Sequence, residues 1–163
     1  MGNFSAAPFS ERQLRTAFSA FPSGVTALCA LRDGQPVGIA ASSFTSVSLD
    51  PPLVSVCVAH ASTTWPGLRL TGRIGVSVLA YDQAHLARRL AGVGIDRFES
   101  VRWVPTESGA VVLEGASMWL DTTLEAELPA GDHNIALLRV CGISSFAHRD
   151  PVVFHHGELR LLA

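Results

Sequence analysis

Met118-Trp119-Leu120-Asp121-Thr122-Thr123-Leu124-Glu125-Ala126-Glu127-Leu128 alternates without a break. Met118, Leu120, Thr122, Leu124 and Ala126 fall on one side; Trp119, Asp121, Thr123, Glu125 and Glu127 fall on the other. A period of two predicts a strand with one face on a core and one toward water. Working outward, residues 134–146, 152–154 and 158–162 continue as strands. Upstream, 25–31 and 35–41 flank Asp33-Gly34, a pair that tolerates the positive φ of a tight hairpin. Residues 53–59, bounded by Asp50-Pro51-Pro52, are β-branched and nearly all apolar, which predicts a strand buried on both faces. Residues 74–80 repeat that pattern.

Helices are few. Ser10 and Gln13 have capping-box spacing, with Phe9 and Leu14 where a hydrophobic staple would close over the cap. Leu14, Ala17, Phe18 and Phe21 then recur on one helical face, and Pro22 and Gly24 end it. A second helix is expected to start with Asp82 as N-cap, with Tyr81 and Leu86 as staple, and to run to about residue 91. Many short strands without alternating helices argue against a parallel α/β fold and predict a β-barrel or sandwich.

The chain has 163 residues, enough for one domain (1–163) with its own core, preceded by a flexible N-terminus at 1–9. Charged residues are only 16% against 48% hydrophobic. That is too little polar cover for a lone monomer, so a homo-oligomer is expected. A net charge of −2 with scattered basic residues gives no footprint for nucleic acid. Cys29, Cys57 and Cys141 are far apart and odd in number, which argues against disulfides or a zinc site. No secretory signal is visible, and the uncharged stretches 35–49 and 51–68 are too broken by Ser, Thr, Gly and Pro to span a membrane. A soluble, cytoplasmic setting follows.

Four segments can carry chemistry. Gly38-Ile39-Ala40-Ala41-Ser42-Ser43-Phe44-Thr45-Ser46-Val47-Ser48 combines small residues, which let a ligand approach the backbone, with hydroxyls; its plain reading is a Ser-rich strand followed by a loop. In His60-Ala61-Ser62-Thr63-Thr64-Trp65-Pro66, Ser62 or Thr63 would cap a short helix carrying Trp65 and Leu68, with or without a phosphate at its start. Arg88 and Arg89 suit either a phosphate or the helix dipole. In Gly131-Asp132-His133 the imidazole is positioned in a loop to orient a nicotinamide or assist a proton step, or is an ordinary loop histidine. His148, His155 and His156 raise a metal, but adjacent His155 and His156 on a strand point to opposite faces, so no metal site is expected. Nucleophile elbows, Walker loops and G-x-G-x-x-G are missing, and Ser23-Gly24 and Gly92-Val93-Gly94 are too short to stand in for them.

Set in order, Phe21-Pro22-Ser23-Gly24-Val25-Thr26, Ala41-Ser42-Ser43-Phe44-Thr45-Ser46-Val47-Ser48-Leu49-Asp50-Pro51-Pro52-Leu53-Val54, Ser62-Thr63-Thr64, Val76-Ser77-Val78-Leu79, Leu86-Ala87-Arg88-Arg89-Leu90-Ala91, Asp96-Arg97-Phe98 and Ala130-Gly131-Asp132-His133 are specific together. From residue 14 to 161 the chain resembles the flavin reductase-like family of FMN-binding split β-barrels, the reductase components of two-component monooxygenases. Ala40, Ser77 and Leu90 depart from that family's usual Thr, Asn and Phe.

The resemblance implies a Greek-key split barrel and an NAD(P)H-dependent flavin reductase that passes a hydride from NADH or NADPH to FMN or FAD. The reduced flavin would supply a separate monooxygenase. Ala40, Ala41, Ser42, Ser43 and Phe44, with Ser46, would follow the isoalloxazine, and Cys57, Val58 and Ala59 the ribityl chain. Ser62 and Thr64 would sit near the phosphate. Arg89, Leu90 and Ala91 would close over the flavin, Arg89 as a phosphate cation. Phe98 would contact the dinucleotide or the second half of FAD, and His133 the nicotinamide. A homodimer is implied. No arginine pair stands where a 2′-phosphate would be read, which favours NADH. The competing readings are a flavin carrier without reductase activity and an oxidase of the pyridoxamine-phosphate type, since one barrel hosts several chemistries.

Overall fold

The computed structural model describes residues 6–162; residues 1–5 of the expected flexible N-terminus lie outside the described residues, and 6–9 have no regular structure. Helix α1 (Glu11–Phe18) opens on the expected capping box: the Gln13 N–H donates to Ser10 Oγ at 3.2 Å, and the Ser10 N–H to Gln13 Oε1 at 2.8 Å. None of its residues is buried, and Phe18 and Phe21 are 69% and 77% exposed. The apolar face read from the sequence therefore exists, but nothing among the described residues covers it.

After β1 (Ser23–Gly24) come β2 (Thr26–Arg32) and β3 (Gln35–Ala41). Asp33 and Gly34 join them at φ 54° and 76°, the left-handed pair that a twisted hairpin requires. The Ser-rich stretch that follows holds a further strand, β4 (Thr45–Leu49), which turns at Asp50 and Pro51 into β5 (Pro52–Ala59). Helix α2 (Trp65–Leu68), β6 (Ile74–Val78), a 3₁₀ turn at Tyr81–Gln83 and α3 (Ala84–Leu90) come next. Then follow the hairpins β7 (Trp103–Pro105) with β8 (Val111–Leu113), β9 (Met118–Ala130) with β10 (His133–Ser145), and β11 (Val152–His155) with β12 (Glu158–Leu161).

The protein is mainly β with a few short helices. Seven antiparallel strands form one sheet in the order β3-β2-β6-β9-β10-β5-β4, beside a three-stranded β1-β11-β12 sheet and the β7-β8 ribbon. No helix among the described residues is long and apolar enough to cross a membrane.

One core lies inside the large sheet, where Leu28, Val54, Val56, Ile74, Val76 and Leu138 meet Trp65 and Leu68 of α2. A second lies behind β2, where Ala27 and Cys29 pack under α3, β8 and β11. Strands β2 and β6 separate the two cores and are covered on both faces. Gly75 shows how closely: a Cβ there would overlap the Val111 carbonyl, so only glycine lets β8 lie on β6. Ser77, fully buried, accepts the Leu113 N–H at 2.9 Å and completes that contact.

Three expectations need correction. Strand β5 is not buried on both faces: Val54, Val56 and Val58 face the core while Cys57 is exposed, because β5 flanks an open cleft. Asp82 does not cap a helix; the Gln83 side chain accepts the Ala80 N–H at 3.1 Å, and Asp82 pairs with Arg149 at 3.1 Å. His155 and His156 do not point apart, since the backbone turns at His156 (φ 50°) and brings the rings 4.1 Å from each other. Among the described residues no three His, Cys, Asp or Glu side chains gather around a point suited to a metal.

Candidate functional site

Strand β3 is one edge of the large sheet and β5 lies next to the other edge, yet the two approach each other because only Ser42, Ser43 and Phe44 link β3 to β4. In this seam lies a cleft of about 380 Å³, within the range of small-ligand sites. One wall is Ile39, Ala40 and Ala41 of β3, continued by Ser42 and Ser43. The other is Cys57, Val58 and Ala59 of β5. Buried Thr26 donates to the Ala41 carbonyl at 2.9 Å, fixing the first wall. Ser43 Oγ accepts the Cys57 N–H at 2.8 Å and donates to its carbonyl at 3.3 Å. That hydroxyl clips the walls together just beyond the last β4–β5 pair, Thr45 with Ser55. Ser42 makes no side-chain hydrogen bond among the described residues.

The ends of the cleft carry its polar groups. Leu90 and Ala91, at the end of α3, close one side, and Ser62, Arg97 and His133 reach in from elsewhere. Ser62 Oγ accepts the Trp65 N–H at 3.2 Å. The N-cap of α2 is Thr64, whose side chain makes no capping bond, so neither Ser62 nor Thr63 is the N-cap expected, and Ser62 steadies the helix start from two residues before that cap. Arg97 is held in place by three bonds: Nε to the Gly92 carbonyl at 2.8 Å, and Nη1 to the Gly38 carbonyl and to Thr64 Oγ1, both at 2.9 Å. None of its partners is a carboxylate, so its charge is not neutralised locally.

His133 is the first residue of β10 rather than a loop residue, paired in register with Ala59 of β5 and Ala130 of β9. Its Nδ1 lies 2.7 Å from Asp132 Oδ1. An ionised carboxylate only accepts, so Nδ1 carries the proton and Nε2 is left for a ligand. The same hydrogen bond, and then the charge behind it, holds the Asp132 carboxyl below the usual carboxylate range. Below His133, Glu127 is a polar hub: it accepts Trp65 Nε1 at 2.7 Å and Arg69 Nη1 at 2.5 Å. Asn134, beside it, takes His60 Nε2 at 3.0 Å through its Oδ1. Burial opposes ionisation of Glu127, but these hydrogen bonds outweigh it and lower its pKa.

Of the residues expected at the site, Ala40, Ala41, Ser42, Ser43, Cys57, Val58, Ala59, Ser62, Leu90, Ala91 and His133 do line this one cleft. The rest do not. Phe44 packs on the inner core, and Ser46 pairs with Val54 on β4. Thr64 stands behind Arg97, and Phe98 packs into the second core. Arg89, expected as the phosphate cation, turns away: its Nη2 bonds the Asp96 carbonyl at 3.0 Å and Glu99 at 2.7 Å. Arg97, and not Arg89, is the arginine that lines the cleft. Neither Arg97 nor Ile39 was expected at the site, although Arg97 sits inside the Asp96-Arg97-Phe98 motif that carries the resemblance.

The chain belongs to the flavin reductase like domain family, whose profile matches residues 18–163. Among curated proteins it is 33% identical over 157 residues to the flavin-dependent monooxygenase reductase subunit HsaB of Rhodococcus jostii, covering 96% of this chain and 80% of that one. It is 37% identical over 161 residues to an NADH-dependent FAD reductase of Streptomyces globisporus, covering 96% and 88%. Among solved structures, the Streptomyces globisporus NADH:FAD oxidoreductase SgcE6, in complex with NAD and FAD fragments, superposes with a TM-score of 0.92 at 35% identity, covering 99% of this chain and 98% of that one.

Proposed function

We propose that this chain is an NADH-dependent flavin reductase that reduces FMN or FAD in the β3–β5 cleft and releases it to a separate monooxygenase. The observation that carries this reading is the cleft itself. It has small-residue walls that present backbone groups, an arginine without a carboxylate partner and a histidine with one free ring nitrogen. These residues fit a flavin: the walls admit a flat ring, and Arg97 with Ser62 suits a phosphate.

A bound flavin supplies the hydride acceptor; the protein's part is to bind, orient and exclude water. Ala40, Ala41 and Ser42 present backbone N–H and C=O groups to the ring's polar edge. Cys57, Val58 and Ala59 flank the side chain of the flavin. Leu90 and Ala91 close over it, and Phe98 supports β3 from behind at Gly38. His133, with Asp132 fixing its tautomer, bonds the nicotinamide carboxamide through Nε2, accepting when neutral and donating when protonated. No side chain is asked to move the hydride.

The open seam between β3 and β5 supports naming the fold a Greek-key split barrel, in one domain over 1–163. The uncovered apolar face of α1 borders a groove of about 610 Å³, and such a face supports a homodimer. Three free cysteines suit a cytoplasmic setting. The test is oxidation of NADH and NADPH by purified protein with FMN, FAD or no flavin. Flavin-dependent turnover is expected, with NADH preferred; tight flavin binding without turnover would replace this reading with a carrier.

A further inference from the structure

His133 is steered by a neighbour that is itself poorly held. The Asp132 side chain is 95% exposed, and His133 is its only side-chain partner among the described residues. A bond between two exposed side chains contributes little by itself. Both residues also sit at the Gly131-Asp132 turn that joins β9 to β10. Something else must hold that turn if His133 is to meet a ligand in one place.

The support lies on the other face of the sheet. Cross-strand partners share a face, and neighbours along a strand alternate. His133, opposite Ala59, faces the cleft, whereas Asn134, opposite the buried Val58, faces the inner core. His60 continues β5 by one residue, and its N–H donates to the Asp132 carbonyl at 2.9 Å. Its side chain lies on the face of Asn134, with Nε2 3.0 Å from Asn134 Oδ1. An amide oxygen only accepts, so His60 Nε2 carries the proton. Asn134 Nδ2 in turn reaches Glu127 Oε1 at 3.5 Å.

Glu127 is there because of a bulge. The β9–β10 register shifts so that Glu125 has no partner, and beyond it Glu127 stands opposite the fully buried Ala136. It therefore turns inward, although the alternation of the sequence places it outward. Bonds from Trp65 and Arg69 fix it to α2. A line of side chains thus runs from α2 through Glu127 and Asn134 to His60, whose backbone holds the turn. The Asp132 carboxyl, kept low first by its hydrogen bond to His133, is lowered also by the charge of His60.

Resting on the flavin reductase reading, we propose that His60 and Asn134 are positioning residues for the nicotinamide: locked together, they clamp the Asp132–His133 turn onto β5 and so aim His133 Nε2 at the carboxamide. Neither lines the cleft, so both act through His133.

The experiment measures KM for NADH and for FMN in wild type, His60→Ala, Asn134→Ala, His60→Gln, His133→Ala and the His60→Ala/His133→Ala double variant. Proton–nitrogen NMR of the imidazoles, with the His133 signals assigned by their loss in His133→Ala, reads the His133 tautomer without turnover. Each of His60→Ala and Asn134→Ala is expected to raise KM for NADH about 3–10-fold, the worth of one neutral hydrogen bond, with KM for FMN nearly unchanged. His60→Gln, whose Nε2 donates where the imidazole did, restores the wild-type value. In the His133→Ala background, His60→Ala adds nothing. The His133 proton stays on Nδ1 in wild type and His60→Gln and is shared between both ring nitrogens in His60→Ala. A rise in KM for NADH of less than about threefold in both alanine variants, an equal rise for FMN, the same rise without His133, or an unchanged His133 tautomer in His60→Ala each overturns the proposal. A wild type without flavin-dependent turnover overturns the reductase reading instead, and the His133 tautomer alone then decides whether the clamp exists.

Discussion

Replacing Arg97 by alanine removes three hydrogen bonds at once, from the Gly92 and Gly38 carbonyls and from Thr64 Oγ1. Each is charge-assisted and contributes about 1.5–3 kcal/mol before its partners turn to water. Gly92 and Thr64 are half-exposed and recover part of this, so the net loss of stability is about 2–4 kcal/mol. In a chain of this size that lowers Tm by roughly 5–10 °C. The ligand effect is separable. A guanidinium–phosphate bond of about 1.5–3 kcal/mol raises KM for FMN about 10–100-fold, whereas riboflavin, which has no phosphate, is expected to keep its KM within about threefold. Arg97→Lys keeps the charge without the fork and falls between. The assay is steady-state NADH oxidation with FMN and with riboflavin, at a temperature well below the variant's Tm. An equal rise for both flavins would mean that the cleft had collapsed and that Arg97 reads no phosphate. An unchanged FMN value would refute the assignment outright.

The other predictions concern neighbouring groups. His133→Ala is expected to raise KM for NADH with little change in KM for FMN; an unmoved NADH value removes His133 from the nicotinamide. Burial pushes the Cys29 thiol up to about 12, so iodoacetamide at neutral pH should label Cys57 and Cys141 but not Cys29, and FMN should protect Cys57 alone, as read by peptide mass spectrometry. The Glu127 carboxyl titrates lower in the fold than in the unfolded chain, so its stabilising contribution is fully present above about pH 4.3 and is lost as pH falls through its folded value. Glu127→Gln should therefore lower Tm at pH 7 and flatten the loss of Tm on acidification; parallel acid profiles would contradict that.

Much of the fold can be read directly from local pattern. The alternation that begins at Met118 and the left-handed turn at Asp33-Gly34 each depend on neighbouring residues only, and both appear where expected. Strand β4 is harder to see, because Thr45–Leu49 is short and hydroxyl-rich and becomes a strand only by pairing with β5. The walls of the cleft are legible as small residues, but its cation is not. Arg97 acquires its role from Gly38 and Thr64, which are distant in the chain, and Arg89 loses the same role to Glu99. Which of two arginines is neutralised is decided by folding, and no spacing rule reports it.

The clip between Ser43 and Cys57 fastens a seam that is otherwise open, and this bears on how long a flavin stays. A seam lined by backbone and alanine offers a ring flat contact but few anchors. A reductase that hands its product to another enzyme is limited by the rate of departure. With ordinary association of ~10⁷ M⁻¹s⁻¹, micromolar binding releases ligand at about 10 s⁻¹, similar to a typical turnover rate of about 10 s⁻¹. Nanomolar binding would release it about a thousandfold more slowly and would stall delivery. For a flavin passed on in this way, the alanine at position 40, where the family usually has threonine, removes one hydroxyl anchor from that wall and favours the shorter residence.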